Sequence, residues 1–563
     1  MEGSVVSNRA IDEVRPLKVI YIGAGVSGIL ACIQFPKHVP GLELVVYEKN
    51  EEVGGTWFEN RYPGCACDIP AHAYQLSFES STDWSSFYAE APEILRYWQR
   101  VADKYSVRRF MKFRHQCTEA RWDEDAAKWR VKLLDLSTGQ QFEDVGDVLM
   151  TGTGALNRWE WPNIPGLHDF QGKLMHSASW DSEFDPNDKS VAVIGAGSSG
   201  IQIVPALRPI VKSMDHYVRG RTWISPSMGS EFVKARNNGA DGNFSYTDEE
   251  KEAWKKDRES YIKYRKTIET EFQSLCQGFF KDSQMQVGMR KLFTEEMRRR
   301  LQDKPELIDE MIPDFAPLCK RLTPGPGYLE ALVSSKVNVI RTSIASVDAT
   351  GITTEDGVHR PVDAIVCATG FRSFEGSFPI YGRGGQSMLK HNGSRPRTYL
   401  SICTDQFPNF FQTLGPNSGL GAGNLLMILE STTLYVAKVL RKLATENIKT
   451  IEPKSRQVEN FTNFCEQYHT KTVYTDTCTS WYKAGATADD KKGGRVIGVW
   501  PGSGVHLIKA FQEVRWEDFE METVDGNEFG WFGDGWSVAD RTQDPEGLSW
   551  YLNDTSFIHE NLS

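Results

Sequence analysis

Apolar residues fall into short runs along this chain, and two of the runs end in the same way. Leu17-Lys-Val-Ile-Tyr-Ile leads into Gly23-Ala-Gly25-Val-Ser-Gly28, and Ser190-Val-Ala-Val-Ile leads into Gly195-Ala-Gly197-Ser198-Ser-Gly200. Each reads as a buried strand, because it is short, rich in β-branched residues and stopped by glycine. Each is followed by an apolar stretch that suits a helix. Further strands are predicted at Leu42-Glu-Leu-Val-Val-Tyr, Val148-Leu-Met-Thr, Ser213-Met-Asp-His-Tyr-Val218 and Asp363-Ala-Ile-Val-Cys. The pattern changes between Gly229 and Pro313, where the chain is charged and Trp254, Tyr261 and Tyr264 recur at helical spacing. Thr247-Asp-Glu-Glu250 fits a capping box, so this interval is expected to be a helical insertion, a generic bundle first and a pocket-shaping element second.

The repeated strand–glycine–helix unit predicts an α/β protein with two Rossmann-like dinucleotide-binding domains. In the G-x-G-x-x-G pattern the first glycine makes the tight turn. The second lets backbone approach a pyrophosphate, and the third allows the helix to pack on the strand. After the first unit, the next strand ends in Glu48, an acid placed to take ribose hydroxyls. After the second, the matching strand ends in Arg219, with Arg221 two residues on. A carboxylate there repels a 2′-phosphate and a guanidinium pairs with it. The first site therefore suits a dinucleotide without that phosphate and the second suits NADPH, unless Arg219 is only a solvated strand end.

Charge and cysteines narrow the classes. With 64 basic and 75 acidic residues the net charge is −11, which argues against nucleic acid as a partner. From Trp516 to Ser563 there are twelve acids against one base, Arg541, so the preceding body is neutral. That segment also carries Trp516, Phe519, Phe529, Trp531, Phe532, Trp536, Trp550 and Tyr551, and is expected to bury them across the body or a neighbouring subunit. No apolar run is long enough to span a membrane. Met1 to Pro16 carries both signs of charge and no apolar core, which predicts no secretory leader and a cytoplasmic protein. Ten cysteines without a C-x-x-C pair point to reduced thiols and to neither a disulfide framework nor a metal site. Cys65 and Cys67 read as small buried residues.

Two further motifs carry a family resemblance. Gly54-Gly55-Thr56-Trp57-Phe-Glu-Asn-Arg61-Tyr-Pro63-Gly64-Cys-Ala-Cys-Asp68 follows the first acid. Phe170-Gln-Gly172-Lys-Leu-Met-His176-Ser-Ala-Ser-Trp180-Asp181 precedes the second glycine motif and fits F-x-G-x-x-x-H-x-x-x-W-[PD] at every defined position. The chain resembles the type I Baeyer–Villiger monooxygenases, with few gaps from about Val19 to about Trp481. The resemblance implies FAD and NADPH as cofactors, and a ketone and O2 as substrates. It further implies formation of an ester or lactone through a C4a-peroxyflavin, on a bulky cyclic or natural-product ketone. It also implies roles. Arg321 would be the active-site arginine, Lys320 a 2′-phosphate ligand, and Asp68 the acid that holds Arg321. Trp57 and Tyr74 would touch the flavin, Phe407 to Phe411 and Gly415-Pro-Asn-Ser would form a flavin-side segment, and Thr479-Ser-Trp481-Tyr a mobile loop. Phe170, Gly172, His176, Trp180 and Asp181 would organise the junction, with His176 a hydrogen-bonder and not a base.

The implied organisation is a first FAD-binding part over 1–160 and an NADPH-binding part over 161–228. A helical insertion follows over 229–318, then a second NADPH part over 319–387. A second FAD part covers 388–515, and the acidic segment covers 516–563. Two alternatives stay open. Oxidation of sulfur or nitrogen by a related flavin monooxygenase would use the same motifs, and a catalytically silent flavoprotein would keep them without turnover. Substrate, regiochemistry and oligomeric state have no readable signature.

Overall fold

The computed structural model describes residues 7–239, 242–484 and 494–553. Each glycine-ended run is the central strand of a five-stranded, all-parallel sheet. In the first sheet Leu17–Ile22 lies between Val148–Thr151 and Leu42–Tyr47, with Phe410–Gln412 and Met111–Lys112 at the edges. In the second, Ser190–Ile194 lies between Ser213–Tyr217 and Ala364–Cys367, with Val337–Ile340 and Lys173–His176 outside them. Strands covered on both faces need apolar side chains at successive positions, which is why runs and not alternation announced them. Ala364–Cys367 is buried at all four positions. Helices Val26–His38 and Ser198–Leu207 follow the two glycine turns. The predicted α/β class with two Rossmann-like units is therefore what the chain forms.

The chain passes between the sheets twice, from Val148–Thr151 to Lys173–His176 and from Ala364–Cys367 to Phe410–Gln412. Antiparallel meanders precede both crossings: His115–Asp123, Lys128–Asp135 and Gln141–Gly146 before the first, and Ile344–Val347, Gly351–Thr354 and His359–Pro361 before the second.

The interval after Gly229 is helical, with Asp248–Lys256, Arg258–Ser274 and Gln284–Arg300 as its longer members. Thr247 and Glu250 form the reciprocal capping box. Its aromatics do not pack only among themselves. Tyr246, Trp254, Tyr261 and Tyr264 close edge-on around His72, with centroids 4.8–5.6 Å away, and the Tyr261 hydroxyl is 2.8 Å from Nδ1. The insertion is thus seated on the segment that follows Asp68.

One expectation fails here, and another is met against the body only in part. The chain is not free of disulfides: Cys319 and Cys478 are bonded across 159 residues, while the other eight cysteines are thiols. Sequence spacing carried no trace of the pair because the fold alone brings the two segments together. The acidic segment does not bury its aromatics as a whole. Phe519–Thr523 pairs with Ile448–Pro453, Phe519 is buried, and Trp516 lies under Lys442. Beyond it, Phe529, Trp531, Phe532, Trp536, Trp550 and Tyr551 are 43–60% exposed. This part is tied instead to the start of the chain, by Arg541 to Glu13 and the Asn8 carbonyl and by the amide of Ile11 to the Trp536 carbonyl. Backbone and ionic contacts settle its position, so the rings are left outside. Cys65 and Cys67 are buried as expected.

His72, His176, His216 and His469 are each at most 1% exposed. Burial lowers their pKa values, to about 3 for His72 and about 4 for the others. A histidine depressed below its unfolded value stays neutral in the native state while the unfolded chain takes up a proton, so stability falls as pH drops below about 6.5. Each contributes a loss of about 2 kcal/mol between pH 7 and 5. Glu48 and Glu430 pull the other way, because burial raises their values. Urea unfolding should therefore show lower stability at pH 5 than at pH 7 by less than the four-histidine sum. A flat profile over that interval would contradict the burial of these rings as neutral bases.

Candidate active site

The two glycine motifs obey different constraints at each glycine. Gly23 and Gly195 have φ near +110°, and a Cβ on either would meet the carbonyl of Gly152 or Ala368 at 2.7 and 2.4 Å. A Cβ on Gly28 or Gly200 would strike the carbonyl of Gly23 or Gly195 at 2.1 and 2.0 Å. These four are dictated by the protein's own packing. The middle glycines are not. A Cβ on Gly25 would come no nearer than 3.6 Å to Gly55, and one on Gly197 would meet nothing within 4 Å. Neither Gly25 nor Gly197 supplies a side-chain cap to the helix it begins. Two smooth helix N-termini with free amides are the surfaces a pyrophosphate needs, so the residues present fit two dinucleotides.

Around the first motif, the buried Glu48 carboxylate accepts from the amides of Ala24 at 2.7 Å and Asn50 at 2.8 Å, which fixes it at the end of its strand. Gly55, with φ of +51°, brings its backbone against Gly25 and opens a short helix, Thr56–Glu59. Thr56 is exposed, whereas Trp57 is buried and donates from Nε1 to the Tyr74 hydroxyl at 3.2 Å, the rings edge-on 5.5 Å apart. Gly64 and Ala66 reach the second domain's helix. A Cβ on Gly64 would be 2.7 Å from the Gln202 carbonyl, and Gln202 donates to the Ala66 carbonyl and accepts from the Tyr62 hydroxyl. Tyr62, inside the Gly54–Asp68 motif but given no role by it, and Gln202 are the interdomain residues that sequence reading missed.

The next residue along this segment is Asp68. Its Oδ1 accepts from Arg321 Nη2 at 2.6 Å, across 253 residues. The Asp68 charge holds the Arg321 guanidinium more firmly protonated than usual, with the buried Tyr482 beside it. Arg321 keeps 38% of its side chain exposed. The Arg321–Asp68 pair therefore lies at the seam of the two units and presents a fixed cation there.

Lys320 points the other way. Its ammonium donates to the Arg221 carbonyl at 3.1 Å and lies over the Phe315 ring, and burial lowers its pKa. Arg219 is exposed at the end of Ser213–Tyr217, and Arg221 follows. Arg341, half-buried, donates to the Val218 carbonyl at 2.7 Å and joins them because Val337–Ile340 pairs with that strand. Arg341 had no signal in the sequence; only the parallel register brings it alongside.

The F-x-G-x-x-x-H motif folds as the edge strand of the second sheet. A Cβ on Gly172 would be 2.5 Å from both the Asp363 carbonyl and the Phe170 ring. His176 stacks on Trp159 at 4.5 Å, with Trp161 and Phe371 edge-on to it. These rings belong to the two crossing segments, so His176 sits where both pass. Its Nδ1 accepts from the Ala178 amide at 3.1 Å, and burial lowers its pKa to about 4, which leaves the ring neutral near pH 7. Asp181 pairs with Lys173 and accepts from the Glu183 amide, while Trp180 is half-buried against Phe184. Tyr482 lies near Arg321, but the glycine-rich stretch that follows its loop falls on 485–493, outside the described residues. Among the described residues no cluster suited to a metal ion occurs and no helix is long and apolar enough to cross a membrane.

Gly197→Val tests the fit directly. It should leave thermal stability within about 1 kcal/mol of the parent, since the added atoms meet no protein, while weakening NADP+ binding at least tenfold by calorimetry. Retained affinity would show that no pyrophosphate passes over Gly197.

Residues 17–230 match the flavin-binding monooxygenase-like family. The FAD-binding monooxygenase tazF of Aspergillus terreus is 36% identical over 96% of this chain and 95% of its own length. A Baeyer–Villiger monooxygenase of Pseudomonas aeruginosa is 30% identical over 87% and 88%. Cyclohexanone monooxygenase from Rhodococcus sp. Phi1 bound to NADP+ superposes with a TM-score of 0.77 at 26% identity, covering 91% of this chain and all of that one. A steroid monooxygenase bound to NADP gives 0.74 at 26%, covering 90% and 99%. The paired dinucleotide folds, the cation at their seam and these similarities together place the chain in the type I Baeyer–Villiger monooxygenase family, as a flavin monooxygenase that uses FAD and NADPH.

Proposed function

We propose that this enzyme inserts one oxygen atom beside the carbonyl of a bulky cyclic ketone, giving an ester or lactone, with O2 as the second substrate. The observation that carries the reading is the Asp68–Arg321 pair at the seam of two dinucleotide-binding units. Cyclic ketones are favoured as the class because cyclohexanone and steroid monooxygenases are among the solved structures that share this fold.

When bound, FAD supplies dioxygen activation and NADPH the hydride that reduces it. The chain supplies the setting. Gly23, Gly25 and Gly28 with Glu48, Gly55, Thr56, Trp57 and Tyr74 hold the FAD. Gly195, Gly197, Ser198 and Gly200 hold the NADPH pyrophosphate, and Arg219 with Lys320 holds its 2′-phosphate. Arg321 offsets the negative charge that develops on oxygen when a ketone carbonyl is attacked. A guanidinium suits this, because it stays charged at every working pH and gives up no proton. Asp68 fixes its orientation. The buried Trp57 and the half-buried Tyr74 shut water out of one side of the seam, which strengthens the field of the cation. His176, neutral and enclosed by tryptophans, holds the crossings in place and moves no proton.

Two variants and one panel test this. Arg321→Ala should bind FAD and be reduced by NADPH, yet lose ester formation by at least 10²–10³-fold, the usual cost of removing one fixed oxyanion stabiliser. Normal ester yield would remove Arg321 from the chemistry. Arg219→Ala should raise the KM for NADPH by about 10–100-fold, the worth of a charge-assisted hydrogen bond, with NADH use unchanged. An unaltered NADPH preference would refute the 2′-phosphate contact. Cyclic ketones of graded size should give product-coupled NADPH consumption. Coupled turnover of thioethers alone would favour heteroatom oxidation instead.

A further inference from the structure

The turn that carries Lys320 and Arg321 is fastened to the loop that carries Trp481 and Tyr482. The Ala316 amide donates to Asp476 Oδ2 at 2.7 Å. The Lys483 ammonium, 7% exposed, donates to the carbonyls of Asp476 at 2.5 Å and Cys478 at 3.0 Å. Between these contacts runs the Cys319–Cys478 disulfide, with Cys319 immediately before Lys320 and Cys478 three residues before Trp481. It is the one covalent tie between the two segments among the described residues, and the one that depends on redox state.

The surroundings of this pair differ from those of the eight other cysteines. Lys483 Nζ is 3.4 Å from each of the two sulfurs. A cation at that distance stabilises thiolate, the nucleophilic form of cysteine. Burial lowers the Lys483 pKa to about 8, which still leaves the ammonium the main form at pH 7. Cys319 and Cys478 are themselves buried, at 0% and 3% exposed, so the shared cation and not access to solvent sets them apart. Only Cys319 and Cys478 are bonded to each other, with one ammonium beside both sulfurs.

We propose that Cys319 and Cys478 are a reversible redox site that locks the Trp481–Tyr482 loop onto the Lys320–Arg321 turn when oxidised, retaining NADP(H), and frees loop and nucleotide when reduced. The inference rests on the reading of Lys320 as a nucleotide ligand. Oxidation needs a peroxide: one thiolate attacks a peroxide oxygen, the O–O bond breaks, and hydroxide leaves and is protonated to water. The second thiolate then attacks the resulting sulfenic sulfur, its S–O bond breaks, a second water leaves and the S–S bond forms. Two thiols and one hydrogen peroxide thus give one disulfide and two waters. A dithiol reverses this by exchange, becoming a disulfide itself.

The test uses the full-length, FAD-loaded enzyme. One portion is treated with hydrogen peroxide and another with a dithiol, and both are alkylated and digested. The oxidised sample should yield a peptide linked through 319 and 478, and the reduced sample both cysteines alkylated. NADP+ release should be about tenfold slower from the oxidised form. Cys478→Ala should release at the fast rate in both treatments, and the wild-type comparison stands even if that variant folds poorly. No linked peptide after peroxide, or equal release rates in the two states, would overturn the proposal while leaving Lys320 its role. A linked peptide with no NADP+ binding in either state would overturn the Lys320 reading and this inference with it.

Discussion

The ion pair between Asp68 and Arg321 is the contact that fixes a cation at the seam of the two sheets. The buried core is continuous from one sheet to the other, with Val19 and Tyr21 of the first in the same apolar cluster as Val191, Val193 and Val366 of the second. Polar ties cross the seam beside that shared core: Asp68 to Arg321, Gln202 to Ala66 and Tyr62 to Gln202. Asp68 follows directly on the Gly64–Cys67 turn, which lies too close to helix Ser198–Leu207 for any side chain at Gly64. A backbone approach of that kind fixes distance in a way that a flexible side chain could not. The carboxylate is thereby delivered to one place, and the arginine is oriented by it.

The His176 cluster serves the same end from the other side. Two chain crossings must pass between the sheets, and Trp159, Trp161 and Phe371 on those crossings all pack on one buried neutral imidazole. Burial keeps the ring uncharged. Its place in the motif is therefore a packing and hydrogen-bonding requirement, and the chemistry is left to Arg321.

Much of the fold and site was legible because the signals were local. The strand runs, the obligatory Gly23, Gly28, Gly195 and Gly200, the capping box at Thr247 and the placement of Glu48 all follow from a few consecutive residues. Their physical causes, such as a carbonyl 2.0 Å from a would-be Cβ, act within one turn. Asp68 and Arg321 were coupled by family likeness; nothing in their spacing predicts a 2.6 Å contact over 253 residues. Arg341 was illegible because parallel register alone sets it beside Arg219 and Arg221. The disulfide and the exposed aromatics share that origin. Thiols counted along the chain gave no hint of Cys319 meeting Cys478. The acidic segment's aromatic content suggested burial, yet hydrogen bonds to the chain's start hold it while its rings face solvent.

By itself, then, the amino-acid order determined two dinucleotide folds, their glycine turns and the difference between an acid-ended and an arginine-ended second strand. Short-range sterics and hydrophobic runs dictate these, and they need no partner. Tertiary structure decided which distant residues share the seam: the cation held by Asp68, the basic cluster at the end of Ser213–Tyr217, and the sulfur bridge with Lys483 beside it. Those depend on chain crossings and sheet register, which place residues together without regard to their separation in sequence.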